Sequence, residues 1–120
     1  MNIVLLGPQG SGKGTQARLL CENFEFYYFE TGEFLREIAK TNESVRDFQA
    51  KGILVPNKET SSYITSFLDN KNLYDGILFD GFPRNLEQYQ IFKSWLKVKK
   101  VKIDLVIVIN ISEEETVKRL

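Results

Sequence analysis

The sequence has no histidine and one cysteine, and its charges cancel. Without histidine, proton transfer must use another group, or the chemistry must need little of it. With Cys21 alone there can be no disulfide within the chain and no thiolate metal cluster, which favours a reducing, cytoplasmic compartment. Sixteen basic residues balance sixteen acidic ones. No net charge therefore draws the chain toward nucleic acid or an anionic membrane surface.

Long apolar runs are also missing, and none approaches the ~20 residues that a membrane-spanning helix needs. The first residues pass directly into a strand pattern, so we expect no signal peptide. With 120 residues the chain has the length of one domain, and its 42% hydrophobic content is enough to build a core.

Glycine, by contrast, is concentrated near the N-terminus. Directly after the apolar run Ile3–Leu6, glycine occupies positions 7, 10, 12 and 14, and a helical pattern then begins. Such a loop can turn its backbone N–H groups inward, and the helix adds its unpaired N–H groups and the positive end of its dipole. Lys13 supplies a charge for phosphate oxygens. The pattern predicts a phosphate-binding loop; the alternative is a strand-to-helix turn that uses glycine for tight packing.

Strand and helix patterns alternate along the rest of the chain. We expect strands at 24–29, 77–79 and 105–111, and helices after the N-cap residues Thr31, Asn57 and Asn85. Gln88 stands in capping-box register with Asn85, and residues 112–115 predict the start of a final helix. The predicted fold class is α/β, a four-stranded parallel sheet of the P-loop NTPase type flanked by helices.

Asp80 directly follows the apolar strand at 77–79. Because the carboxyl ends of parallel strands share one edge of a sheet, it should converge with the glycine-rich loop. An acidic residue at this place handles Mg²⁺ in phosphate-loop enzymes. Gly14 stands where the loop motif has serine or threonine, so we expect Asp80 to act on Mg²⁺ through water. The alternative is an aspartate that caps the turn before Gly81.

Two arginines lie a few residues beyond predicted strand ends. Arg36 ends the segment Thr-Gly-Glu-Phe-Leu-Arg, and Arg84 ends Asp-Gly-Phe-Pro-Arg. A guanidinium group can hold phosphate oxygens through two parallel hydrogen bonds. One such arginine usually faces solvent, whereas two that converge near a phosphate loop indicate a second phosphate group. This pair favours a reaction between two nucleotides over simple hydrolysis.

Five segments occur in an order that resembles the adenylate kinase family of nucleoside monophosphate kinases: Gly7–Gln16, Thr31–Arg36, Gly52–Val55, Asp80–Arg84 and Gln88. The resemblance implies transfer of the ATP γ-phosphoryl group to AMP, giving two ADP, with Mg²⁺ as cofactor. It implies a core at 1–30 and 59–120 and a helical AMP-binding insertion at 31–58. Thr31 and Gln88 favour AMP over a pyrimidine monophosphate.

The resemblance also assigns roles to individual residues. ATP would be bound by Gly10, Ser11, Gly12, Lys13, Gly14, Thr15 and Arg119. AMP would be bound by Thr31, Gly32, Arg36, Leu54, Val55, Gly81, Arg84 and Gln88. The catalytic set would be Lys13, Arg36, Arg84 and Asp80, with Asp80 also serving the metal. Glu30 replaces a serine that is common in the family, and the resemblance assigns it no role.

Chains of this family continue past this one, so the resemblance implies that a lid domain and its arginines are missing. Such arginines can contribute ~10³–10⁵ in rate, and we therefore expect nucleotide binding with poor kinase activity. The alternatives are a catalytically silent nucleotide-binding module and a UMP/CMP kinase. Full-length relatives are expected to be monomers, whereas the strand at 105–111 would form an apolar edge through which this chain self-associates.

Overall fold

The computed structural model of the protein describes residues 1–8 and 12–109. In chain order their elements are β1 Ile3–Leu6, α1 Lys13–Phe24, β2 Tyr27–Glu30, α2 Thr31–Ile38, α3 Glu43–Ala50, α4 Asn57–Asn70, β3 Ile77–Asp80, α5 Leu86–Lys99 and β4 Leu105–Val108. Several predicted features lie outside the described residues: Gly10, Ser11, the end of the strand at 105–111, the helix after 112–115, and Arg119. Among the described helices, none combines the length and the apolar character that crossing a membrane requires.

The strands form one parallel sheet in the order β2-β3-β1-β4. β1 pairs in parallel with β3, where Leu5 stands opposite Asp80, and with β4, where Leu6 stands opposite Val108. The α/β fold predicted from the alternating patterns is therefore confirmed. Because β1 and β3 are neighbours, the segments that follow them start from adjacent points on one sheet edge.

Apolar residues on both faces place β1 and β3 in the interior. Every residue of β3 is buried, and Leu5 of β1 has no exposed surface. Ala17 of α1 packs into the same cluster, and Cys21 lies against it, as expected for a packing residue. β4 is different: it borders the described sheet, and the side chains of its Leu105, Val106 and Val108 are exposed.

Residue contacts divide the chain into two compact units. The first, called here the sheet unit, comprises Met1–Phe29, Asp75–Gly81 and the chain from Lys102 onward. The second, the helical unit, comprises Glu30–Tyr74 and Phe82–Val101.

Packing of α4 against α5 forms the centre of the helical unit. Phe82 and Phe92 meet edge to face, with ring centroids 4.8 Å apart. The Asp69 carboxylate accepts hydrogen bonds from the indole N–H of Trp95 and the hydroxyl of Tyr74, each at 3.1 Å. These aromatic contacts and the hydrogen bonds to Asp69 together fix the packing of α4 against α5.

Two predicted N-caps are wrong. Thr31 is the first residue of α2, and Glu30 is its N-cap, because the longer Glu30 side chain accepts hydrogen bonds from the N–H groups of two following residues. Asn57 begins α4 itself, and Pro56 precedes the helix, so the Asn57 side chain is available for tertiary contacts. The third prediction is confirmed: the Asn85 side chain accepts from the Gln88 N–H at 2.9 Å.

The second strand starts later than its aromatic sequence predicts. α1 extends to Phe24, and Glu25 ends it with a positive φ of 58° and an N–H bond to the Cys21 carbonyl. Strand pairing then begins at Tyr27, whose N–H donates to the Gly76 carbonyl at 2.7 Å. Local aromatic content favours a strand throughout 24–29, but helix continuation from α1 decides its first residue.

Candidate functional site

At the carboxyl edge of the sheet, a lysine meets a buried aspartate. Lys13 is the first residue of α1 and follows the loop after β1, while Asp80 is the last residue of β3. The Lys13 ammonium forms an ion pair with Oδ1 of Asp80. The Asp80 side chain is only 3% exposed, against 20% for Lys13. The sheet thus brings these two residues together, as the neighbouring positions of β1 and β3 require.

Tyr28 completes the hydrogen bonding of the aspartate and was missed by the sequence reasoning. Its hydroxyl donates to Oδ2 of Asp80 at 2.5 Å, so each carboxylate oxygen has a partner among the described residues. Tyr28 comes from β2, which is the sheet neighbour of β3. In the sequence, Tyr28 stands out only as a hydroxyl-bearing residue within an aromatic run. Its hydrogen bond to Asp80 can be inferred only once the strand order is known.

The described part of the glycine-rich loop leaves the start of α1 open. Gly12 precedes the helix with φ 85°, a left-handed conformation that glycine adopts at little cost, and as the N-cap residue it offers no side chain to cap the helix. Gly14 and Thr15 lie in the first turn, and a Cβ added at Gly14 would meet no atom within 4 Å. The first N–H groups of α1 are thus suited to an anion.

The residues around Asp80 fit a magnesium ion held mainly by water and phosphate oxygens. Within residues 1–8 and 12–109, no three acidic, cysteine or histidine side chains gather as a metal cage. Mg²⁺ commonly keeps several waters and takes one or two carboxylates together with substrate phosphates. Each Asp80 oxygen has a second lone pair beyond its bond to Lys13 or Tyr28, so the carboxylate can still accept from metal-bound water.

A second candidate site lies within the helical unit. A cavity of about 120 Å³ is lined by residues of α2, of α4, of the segment before α4 and of the start of α5: Thr31, Leu35, Leu54, Val55, Asn57, Thr60, Arg84, Asn85 and Gln88. Five of the residues that the resemblance assigns to AMP are among them. Leu35, Asn57, Thr60 and Asn85 were not predicted as site residues, and Asn57 and Asn85 had been interpreted only as caps.

Side-chain amides form a connected network along this cavity. Oδ1 of Asn57 accepts from Nδ2 of Asn85 at 2.8 Å and from Nε2 of Gln88 at 3.2 Å. Oε1 of Gln88 accepts from the Arg84 N–H at 2.8 Å, and Nδ2 of Asn57 donates to Glu87 at 3.1 Å. Gln88 is 6% exposed, so both ends of its amide are held in a fixed orientation away from solvent.

The other predicted AMP residues lie elsewhere in the described chain. Gly32 and Arg36 do not belong to the cavity lining; Arg36 is 67% exposed, and its guanidinium lies 3.8 Å from Oε2 of Glu30. Gly81 belongs to the sheet unit, where it follows β3 with φ 84°. Glu30, which pairs with Arg36, is a further residue to which the sequence reasoning assigned no role. The one sign of it in the sequence was that glutamate stands where serine is common in the family.

A parallel sheet in which β1 leads into a glycine-rich loop and the neighbouring β3 ends on an aspartate defines an α/β fold consistent with the P-loop fold. The sequence profile of the family described as adenylate kinase matches residues 5–120. The chain belongs to the adenylate kinase family.

Similar curated proteins support this membership. The chain is 36% identical to an adenylate kinase of Corynebacterium urealyticum over 124 aligned positions, which cover all of this chain and 68% of that protein. It is 38% identical to an adenylate kinase of Methanothrix thermoacetophila and 39% identical to one of Archaeoglobus fulgidus, covering 58% and 57% of them. The chain thus spans about 57 to 68% of the length of these relatives.

Proposed function

We propose that this chain binds ATP through its sheet unit and AMP through its helical unit, as part of an adenylate kinase that transfers the ATP γ-phosphoryl group to AMP. The observation that carries the proposal is the Lys13–Asp80 pair at the start of a helix whose N-cap is a glycine, in a chain of this family. Such a place offers one cation, backbone N–H groups and one carboxylate, which together suit a triphosphate and its magnesium.

On the ATP side, each residue has a defined part. The N–H groups at the start of α1 would donate hydrogen bonds to the phosphate chain, with Gly10, Ser11, Gly12, Gly14 and Thr15 as its neighbours. Lys13 would leave Asp80 to neutralise phosphate oxygens, and Tyr28 would continue to hold the Asp80 carboxylate. Bound Mg²⁺ would offset charge on the phosphates, and Asp80 would orient it through water.

On the AMP side, the amide network favours a purine ring. Small-molecule pockets usually measure ~300–1,000 Å³, so a cavity of about 120 Å³ takes part of a nucleotide and leaves the phosphate outside. The base would lie against Leu54, Val55 and Gln88, while Arg84 and Arg36 would bind the phosphate. We further propose that residues 31–58 form the mobile AMP-binding segment, whose closure would exclude water.

Phosphoryl transfer needs alignment and electrostatic stabilisation, with little covalent work by the protein. The absence of histidine from the sequence is compatible with this chemistry. Its single cysteine fits a cytoplasmic location. The rival proposal is a nucleotide-binding module without turnover.

The test is ADP formation from ATP, AMP and Mg²⁺ by the chain, beside a Lys13→Ala variant and with UMP and CMP as alternative acceptors. Turnover with AMP that is lost in the variant supports the kinase proposal. ATP and AMP binding without turnover identifies the silent module. Equal turnover by the variant, or preference for UMP or CMP, would contradict the assignment of Lys13 or of the acceptor.

A further inference from the structure

In the helical unit, the Glu30 carboxylate both caps α2 and pairs with Arg36. Its backbone is extended, and its side chain caps α2. Oε1 accepts from the Gly32 N–H at 2.9 Å, and Oε2 accepts from the Glu33 N–H at 2.6 Å. A carboxylate held by two backbone donors at the positive end of a helix is fixed in place.

The same carboxylate faces Arg36, which lies six residues further along the chain in α2. The guanidinium Nη2 lies 3.8 Å from Oε2 of Glu30. A Cβ added at Gly32 would meet Oε1 of Glu30 at 3.1 Å and Nη1 of Arg36 at 3.2 Å. Glycine at position 32 therefore leaves the space in which the carboxylate and the guanidinium approach each other. The Glu30 side chain is 24% exposed and that of Arg36 is 67% exposed, so Arg36 is the freer partner.

We propose that Glu30 limits the affinity of the monophosphate site by competing with the phosphate group for Arg36. This inference rests on the proposed role of Arg36 in binding the AMP phosphate. A phosphate that reaches Arg36 must displace Glu30 from it or share the guanidinium with a carboxylate of the same sign. Because two N–H groups hold Glu30, the carboxylate stays nearby and repels the incoming dianion.

The expected effect follows from the strength of such pairs. A partly exposed ion pair contributes little to stability. Breaking the Glu30–Arg36 pair when AMP binds is therefore expected to weaken AMP affinity by only about 1.5- to 5-fold. Repulsion between the fixed carboxylate and the phosphate adds to this competition. Glu30→Gln, which removes the charge with little change of shape, is therefore expected to tighten AMP binding about three- to tenfold. Adenosine, which has no phosphate, should bind both proteins equally.

The experiment is calorimetric titration of AMP and of adenosine into the full 120-residue chain and its variants. Glu37→Gln is the matched control, because Glu37 lies on the same helix and carries the same charge, but is 73% exposed and pairs with Lys40. Glu30→Ser is a second test variant: serine is a good N-cap, so α2 keeps a cap without the charge. Both Glu30 variants should tighten AMP, and Glu37→Gln should leave it unchanged.

Added salt should reduce the difference between the wild-type chain and Glu30→Gln, because screening weakens both the ion pair and the repulsion. Unchanged AMP affinity in both Glu30 variants would overturn the inference, as would equal tightening of adenosine. Failure of every protein to bind AMP would overturn it together with the proposed function. Arg36→Met separates the two: if it binds AMP as tightly as wild type, the assignment of Arg36 to the phosphate is wrong, whatever Glu30→Gln does.

Discussion

Lys13→Met tests how the sheet edge is stabilised before any nucleotide binds. The substitution keeps most of the side-chain volume and removes the charge that faces Asp80. The Asp80 carboxylate, 3% exposed, would then be left with the Tyr28 hydroxyl as its remaining side-chain donor at hydrogen-bond distance among the described residues. The native protein would have to bury an ionised carboxylate or protonate it, and both cost free energy.

The magnitude follows from the burial of the two partners. Removing one partner of a buried ion pair costs about 3–5 kcal/mol. Because Lys13 is 20% exposed and Tyr28 still donates, we expect a somewhat smaller loss, about 2–4 kcal/mol. For a chain of this size that corresponds to a Tm lower by about 10 °C. Asp80→Asn should cost only about 1 kcal/mol, since the freed ammonium can turn toward water.

The assay is thermal and urea unfolding followed by far-UV circular dichroism, without nucleotide. Lys58→Met, which removes an exposed lysine from α4, is the control and should change stability by less than about 0.5 kcal/mol. The Lys13→Met/Asp80→Asn double variant should lose less than the sum of the single losses, by about 1–3 kcal/mol. A Lys13→Met protein as stable as the wild type, or additive losses, would refute the buried-pair argument.

Three other measurements address separate parts of the molecule. Burial raises the pKa of the Cys21 thiol. At pH 8, iodoacetamide should therefore modify Cys21 more slowly than it modifies a cysteine peptide, and the rate at Cys21 should keep rising above that pH. Equal rates for the two thiols would contradict the burial. Asn57→Ala removes the oxygen that accepts hydrogen bonds from two side-chain amides, and we expect a loss of about 1–2 kcal/mol in stability and weaker AMP binding by calorimetry. The control is Asn23→Ala, which changes an exposed asparagine of α1. Equal behaviour of the two variants would refute the amide network. If the chain self-associates through β4, its mass by light scattering should rise with protein concentration. Val106→Lys, which puts a charge on the exposed side of β4, should then restore the monomeric mass. A constant monomeric mass of the wild-type chain would exclude this association.

Local sequence determined the strongest elements of the fold. Ile3–Leu6 and residues 77–79 are apolar on both faces, and a strand with that pattern is stable only inside a sheet covered on both sides. The alternation of such strands with helices selects a parallel sheet, since parallel strands need long crossovers. Asn85 could likewise be assigned as a cap, because its side chain bonds within its own helix start.

Competition between neighbouring signals limited the prediction of element boundaries. Thr31 is a good cap by residue type, but Glu30 reaches two N–H groups from one position earlier and takes its place. Phe24 has strand propensity, yet it is the last residue of α1. Such choices depend on small free-energy differences between adjacent residues, which residue type by itself does not resolve.

Sequence by itself was also enough to predict the family and the approach of the glycine-rich loop to Asp80, because both depend on a few consecutive residues at strand ends. Tertiary structure alone decided which distant side chains meet. Tyr28 reaches Asp80 across 52 residues only because β2 lies beside β3, and Asn57 joins Gln88 across 31 residues within the helical unit. Arg36 pairs with Glu30 because the two project over the same glycine. Distances of this kind are set by packing, which no single segment encodes.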